Sequence, residues 1–203
     1  MGRKSKGIPV KKIIAIYCEG DSEKQYFEML KRKYHSTNIH VHSERVTINS
    51  VGENGLPLLK KAKKKFSRLP KSQQAEKVYA VFDRDYLSKA DLNDCINFAK
   101  QNDISIILSS VNLEIWILMH FQDVTKSYTA NQLNSILSGR DFFNTDYCHF
   151  KGKPYDEFLD DRVKLAKDRA DLLEKNYKNP WYYSSPCTNM NRAIVEIFGR
   201  SQF

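Results

Sequence analysis

The chain has 203 residues, 41% of them hydrophobic and 28% charged, which suits one complete core with room for an appendage. No stretch approaches the roughly 18 to 20 consecutive apolar residues of a bilayer span. The four cysteines, Cys18, Cys95, Cys148 and Cys187, include no C-x-x-C pair from which to build a zinc knuckle or disulfide framework. A formal net charge of +9 favours a polyanionic partner, because clustered lysines release the counterions condensed on nucleic acid.

The segment Met1 to Lys12 is basic, and the apolar run after it is too short for a secretory signal. With widely spaced cysteines, a reducing, cytoplasmic location is expected. Lys12 to Cys18, KIIAIYC, is a nearly continuous apolar run and predicts a strand buried on both faces. Glu19-Gly20 ends it. A helix follows, with Ser22 and Gln25 as its capping pair and Tyr26, Phe27, Leu30 and Tyr34 on its inner face. Asn38 to Ile48 predicts a second strand, bent near Ser43-Glu44. His40 and His42 share a face there but have no cysteine or acidic partner at metal spacing, and read as exposed strand histidines.

After a loop over Gly52 to Gly55, the residues Leu56, Leu59, Ala62 and Phe66 form a narrow apolar stripe on a helix that Pro70 ends. Lysines fill the rest of its circumference, and Lys60, Lys61, Lys63, Lys64, Lys65, Arg68 and Lys71 form one dense basic run that is either a phosphate-binding face or a solvated one. Lys77 to Phe82 predicts a third buried strand, ending in Asp83-Arg84-Asp85. A helix capped near Ser88 and a strand over Ile104 to Leu108 come next. Leu113 to Phe121, LEIWILMHF, is too apolar on all sides for a surface helix and must be buried.

This alternation predicts an α/β fold, a mainly parallel Rossmann-like sheet flanked by helices, over 13–123. Residues 1–12 form a basic tail and 124–203 a helical C-terminal elaboration packed on the core. That elaboration comprises a short helix near Ala130 to Leu137, an irregular aromatic stretch from Phe142 to Tyr155, one long helix to about Tyr177, and a last helix over Met190 to Phe198. Leu159, Val163, Ala166, Ala170 and Leu173 make a stripe on the long helix that faces the core or a second copy of the chain.

Glu19 and the Asp83/Asp85 pair each directly follow a buried strand, and catalytic groups of parallel sheets gather at the carboxyl ends of strands. In an extended Asp83-x-Asp85 both side chains point the same way, so both can reach one hard cation; magnesium is held by one or two carboxylates, the other positions going to water or phosphate oxygens. Glu19 can share that cation or act as a general acid or base, its pKa raised by its neighbours. Read with the basic surface, this is phosphodiester chemistry. A D-x-D alone is equally what a helix cap or exposed loop carries, and haloacid dehalogenase phosphotransferases also use it. Their motif continues Gly-Thr, where this chain has Tyr86-Leu87.

IAIYCEGDSEKQYF at Ile14 to Phe27, VFDRD at Val81 to Asp85, LEIWILMHF at Leu113 to Phe121 and SPCTNM at Ser185 to Met190 together resemble the RloB family. The resemblance implies a TOPRIM-type metal-dependent domain with Glu19 as acid-base glutamate and Asp83 and Asp85 holding Mg²⁺ or Mn²⁺. It also implies that Glu114 belongs to the site and that His120 is near it. Glu114 is independently notable, since a carboxylate in an apolar helix must be paired or bind something; a place in the helix's first turn, where negative charge is favoured, also accounts for it. The chain departs from the family in having Asn112-Leu113 where an Asn-Pro step is usual, and Ser185-Pro186 in place of a later Asn-Pro.

The expectation is a Mg²⁺-dependent nuclease of bacterial anti-phage defence, acting on RNA such as tRNA or on DNA, with a partner ATPase encoded nearby and a possible homodimer. Lys60 to Arg68, with Arg162, Lys164, Lys167 and Arg169, would bind the phosphate backbone. The alternatives are a binding module of a defence complex with a structural cation, and a phosphatase-like hydrolase of small substrates.

Overall fold

The computed structural model describes residues 13–36, 39–43, 55–68, 75–84 and 87–199, with the main chain alone over 41–43. The basic tail, the end of the second predicted strand, Gly52, Pro70, Lys71 and Asp85 lie outside these residues.

Strand β1 (Ile14–Cys18) leads into helix α1 (Asp21–Lys33). Its four buried residues divide between the two sides of the sheet, Ile16 and Cys18 into one core and Ala15 and Tyr17 into the other, as a central parallel strand requires. The helix cap differs from the expected Ser22/Gln25 pair. Gly20 is the N-cap, and its amide donates to Glu23 Oε2 at 3.0 Å. Two residues suffice for the turn because glycine leaves room: a Cβ on Gly20 would sit 3.0 Å from that same oxygen.

The chain continues through β2 (Ile39–Ser43), α2 (Leu56–Arg68), β3 (Lys77–Asp83), α3 (Lys89–Gln101), β4 (Ile104–Ser110) and α4 (Glu114–Met119). Ser88 caps α3 as expected, in a reciprocal pair with Asp91. The sheet order is β2-β1-β3-β4-β5; the first four strands are parallel, and β5 (Cys187–Thr188) adds antiparallel to the outer edge of β4. Helices α2 and α3 cover one face, while α1, α4 and helices of the C-terminal part cover the other. Every residue of α4 is buried, in accord with its uniformly apolar sequence.

Residues beyond 124 form α5 (Ala130–Leu137), α6 (Tyr147–Phe150), α7 (Asp156–Leu159), α8 (Val163–Glu174), β5 and α9 (Met190–Phe198). The long helix expected to run to Tyr177 is broken: a 3-10 turn over Asp160–Arg162 separates α7 from α8. The break lies where α1 grips the chain, Arg32 forking onto Asp156 at 2.9 and 2.6 Å and Lys33 reaching Asp160 at 3.2 Å. The stripe survives it. Leu159, Val163, Ala166 and Ala170 are buried in this chain's own core. The aromatic stretch before it is packed rather than irregular, with Phe143 4.7 Å from Phe158 and 4.8 Å from Phe150 between ring centroids.

Candidate functional site

With β1 second in the sheet, the chain moves outward to β2 and then returns across β1 to form β3. The crevice between the carboxyl ends of β1 and β3 is therefore a topological switch point, where open parallel sheets bind their ligands. Register brings those ends level: Cys18 lies opposite Val81, and Asp83 opposite Ser109 of β4. Glu19, one residue past β1, donates its amide to Val81 O at 3.0 Å and turns its carboxylate back, Oε2 accepting the Asp83 amide at 3.0 Å. Asp83 Oδ1 in turn accepts the Leu113 amide at 2.8 Å, at the threshold of α4. The Glu19 carboxylate thus meets the main chain of Asp83, the residue that carries the second carboxylate.

Glu114 opens α4 and is 1% exposed. Its Oε1 meets Lys151 Nζ at 2.9 Å and the Tyr147 hydroxyl at 3.4 Å, while its Oε2 is buried with no hydrogen-bond partner among the described residues. The buried Asn112 Oδ1 is left likewise. Glu23, four residues past Glu19, completes the group. Burial, reinforced by the charges of Glu19 and Glu114, raises its carboxyl to about 7. Lys151 loses to burial but gains from Glu114, and further from Asp83 and Glu23, and its pKa ends above that of a free lysine. One lysine therefore answers to three carboxylates, Glu114, Asp83 and Glu23.

Glu23 and Lys151 escape a reading of the sequence for different reasons. Glu23 sits one helical turn beyond Glu19, a spacing that could have placed it at the same strand end. Lys151 carries no local signal: it lies in an aromatic stretch and reaches Glu114 only through the fold. His120 is a core residue. Its Nδ1 lies 3.0 Å from Trp116 O and its Nε2 3.1 Å from the Tyr26 hydroxyl, and burial drives its pKa down to about 3, so it is neutral.

Among the described residues no three His, Cys, Asp or Glu side chains are grouped as a ready-made metal site, and Asp85 lies outside them. The donor set nonetheless fits a hard cation. Glu19 and Asp83 are linked through the Asp83 main chain, and two buried acceptor oxygens, Glu114 Oε2 and Asn112 Oδ1, have no hydrogen-bond partner among the described residues.

The basic residues fall into two groups. Lys60, Lys63, Lys64, Lys65 and Arg68 are exposed and Lys61 half-buried on α2, whose Leu58, Leu59 and Ala62 pack with α3 on the sheet face opposite α4. The structure does not bring them into the carboxylate group. Arg162 and Arg169 are engaged within the fold: Arg162 lies 4.9 Å over the Phe121 ring, and Arg169 donates to Met119 O at 2.7 Å and pairs with Asp123 at 3.1 Å. Lys164 and Lys167 pair along α8 with Asp168 and Asp171.

The family model described as RloB-like protein matches residues 14–197, from β1 into the last turn of α9. The chain belongs to the RloB-like family. All described members of the carboxylate group fall within the matched region. No curated protein and no solved structure matches the chain.

Proposed function

We propose that the chain is a magnesium-dependent nuclease that hydrolyses phosphodiester bonds at the β1/β3 switch point, with manganese as a substitute ion. The observation that carries this reading is the joining of Glu19 to Asp83 through the Asp83 amide, with Asp83 bonded to the residue before Glu114, whose buried Oε2 has no partner among the described residues. Asp83, Asp85 and Glu19 would hold the cation. When bound, it would neutralise charge on the phosphate and lower the pKa of water. Glu19 would take a proton from the attacking water or return one to the leaving oxygen. Lys151 supplies fixed positive charge where phosphate charge develops, and Glu114 holds its ammonium in place. The α2 lysines would bind flanking backbone. A role in bacterial anti-phage defence, with a partner ATPase, is the expectation that accompanies the family.

The Glu114–Lys151 pair also favours a second reading, a binding module whose acidic crevice is neutralised for stability alone. End-labelled tRNA, single-stranded and duplex substrates incubated with Mg²⁺ or EDTA separate the two. The nuclease cuts at least one substrate with Mg²⁺, and Asp83→Asn slows it by on the order of 10²-fold. Binding without any Mg²⁺-dependent cleavage would leave the binding module.

A further inference from the structure

Between the end of α8 and the loop leading to β5 lies a cleft of about 600 Å³, within the range of nucleotide-sized sites. Tyr177 and Tyr183 line it with aromatic surface, Leu172 stands on its wall, and Arg169 and Lys178 bring positive charge. The rings are anchored in place. The Tyr177 hydroxyl donates to Thr188 O at 3.0 Å and accepts the Thr188 amide at 2.8 Å, and the Tyr183 hydroxyl donates to Asn93 Oδ1 at 2.6 Å. Trp181 stacks on Tyr177 at 6.4 Å between centroids, so an aromatic layer already backs one wall. Asp123, which also lines the cleft, is paired with Arg169, which leaves the exposed Lys178 as the lining cation presented to solvent.

The cleft is tied to the carboxylate crevice. Arg84, the residue after Asp83, donates Nη1 to Ser184 O at 2.7 Å, and Ser184 forms part of the cleft wall. Anchored aromatic faces beside a solvent-facing cation fit a flat, charged ligand: stacking accepts any nucleobase, and the cation a phosphate. Bases within a duplex are stacked on each other and cannot enter.

We propose that this cleft receives an unpaired nucleotide of a single-stranded nucleic acid, its base against Tyr177 and Tyr183 and its phosphate at Lys178. The proposal rests on the nuclease reading and assigns single strands as the substrate class.

The test is fluorescence anisotropy in EDTA, which keeps binding separate from cleavage. Labelled single-stranded RNA and DNA of one sequence and the matching blunt duplexes are titrated with wild type and with Leu172→Glu and Lys178→Glu. Both substitutions fall on exposed side chains, Leu172 being 56% exposed, and leave the anchored rings intact. The expected result is single-strand binding about ten-fold tighter than duplex binding, reduced about ten-fold by either variant. Oligonucleotides carrying 4-thiouridine or 4-thiothymidine should photo-crosslink to a peptide within 177–186. Equal affinity for single and double strands, unaltered in both variants, overturns the proposal, as do crosslinks confined to other segments. A nuclease that cuts with Mg²⁺ but behaves this way keeps its activity and loses only this site.

Discussion

Glu114 and Lys151 are the residues whose chemistry depends most on each other. Removing the cation alone leaves a carboxylate 1% exposed and uncompensated. Loss of one partner of a fully buried pair costs about 3–5 kcal/mol; with Lys151 still 36% exposed, Lys151→Met should cost roughly 2–3 kcal/mol in urea unfolding. Adding Glu114→Leu should recover most of it, because the pair replaced together leaves no buried charge. Glu23 gives a second handle. Its carboxyl, raised from 4.5 to about 7, keeps a proton in the folded protein that the unfolded chain has already released. That contribution to stability is complete below about pH 4.5 and is lost as the pH rises through about 7. His120 acts in the opposite sense, its contribution present above the unfolded value of 6.5 and lost as the pH falls toward 3. Subtracting the Glu23→Gln stability curve from that of metal-free wild type isolates the first effect, and wild type should fall relative to the variant between pH 4.5 and 7.

At the scale of elements, the basic residues of α2 mostly face solvent, whereas those of α8 are each paired with a carboxylate. Lys60, Lys63 and Lys64 are exposed, so replacing them by alanine should flatten the salt dependence of nucleic-acid binding by about 0.7 to 0.9 in logarithmic slope for each phosphate no longer neutralised. An unchanged slope would make that face merely solvated. Local pattern was sufficient for β1, β3 and α4, whose apolar runs declare burial on all sides, and for α5 and α9, which have the predicted bounds. It failed where tertiary packing decides. The break between α7 and α8 opens at Asp160, which Lys33 holds from more than a hundred positions earlier. The two-residue β5 exists only because Ser109 and Ser110 offer it a ladder.

For the whole molecule, the sheet order turns two separate acidic motifs into one group. Glu19 and Asp83 could be suspected from their strands, but only the return of the chain across β1 makes those strands neighbours. Lys151 arrives from a segment whose aromatic packing brings it over α4 and which has no motif of its own. No helix among the described residues is long and apolar enough to cross a membrane. A cation held at the crevice stabilises the folded state by linkage, so millimolar Mg²⁺ should raise the melting temperature of wild type and raise that of Asp83→Asn much less. The most direct test of the central claim is the rate at which wild type and Glu19→Gln cleave the same labelled nucleic acid with Mg²⁺ present. A loss of about 10² to 10⁴-fold is expected in the variant, with fold and nucleic-acid affinity retained; cleavage at the wild-type rate, to the same products, would contradict a catalytic role for Glu19.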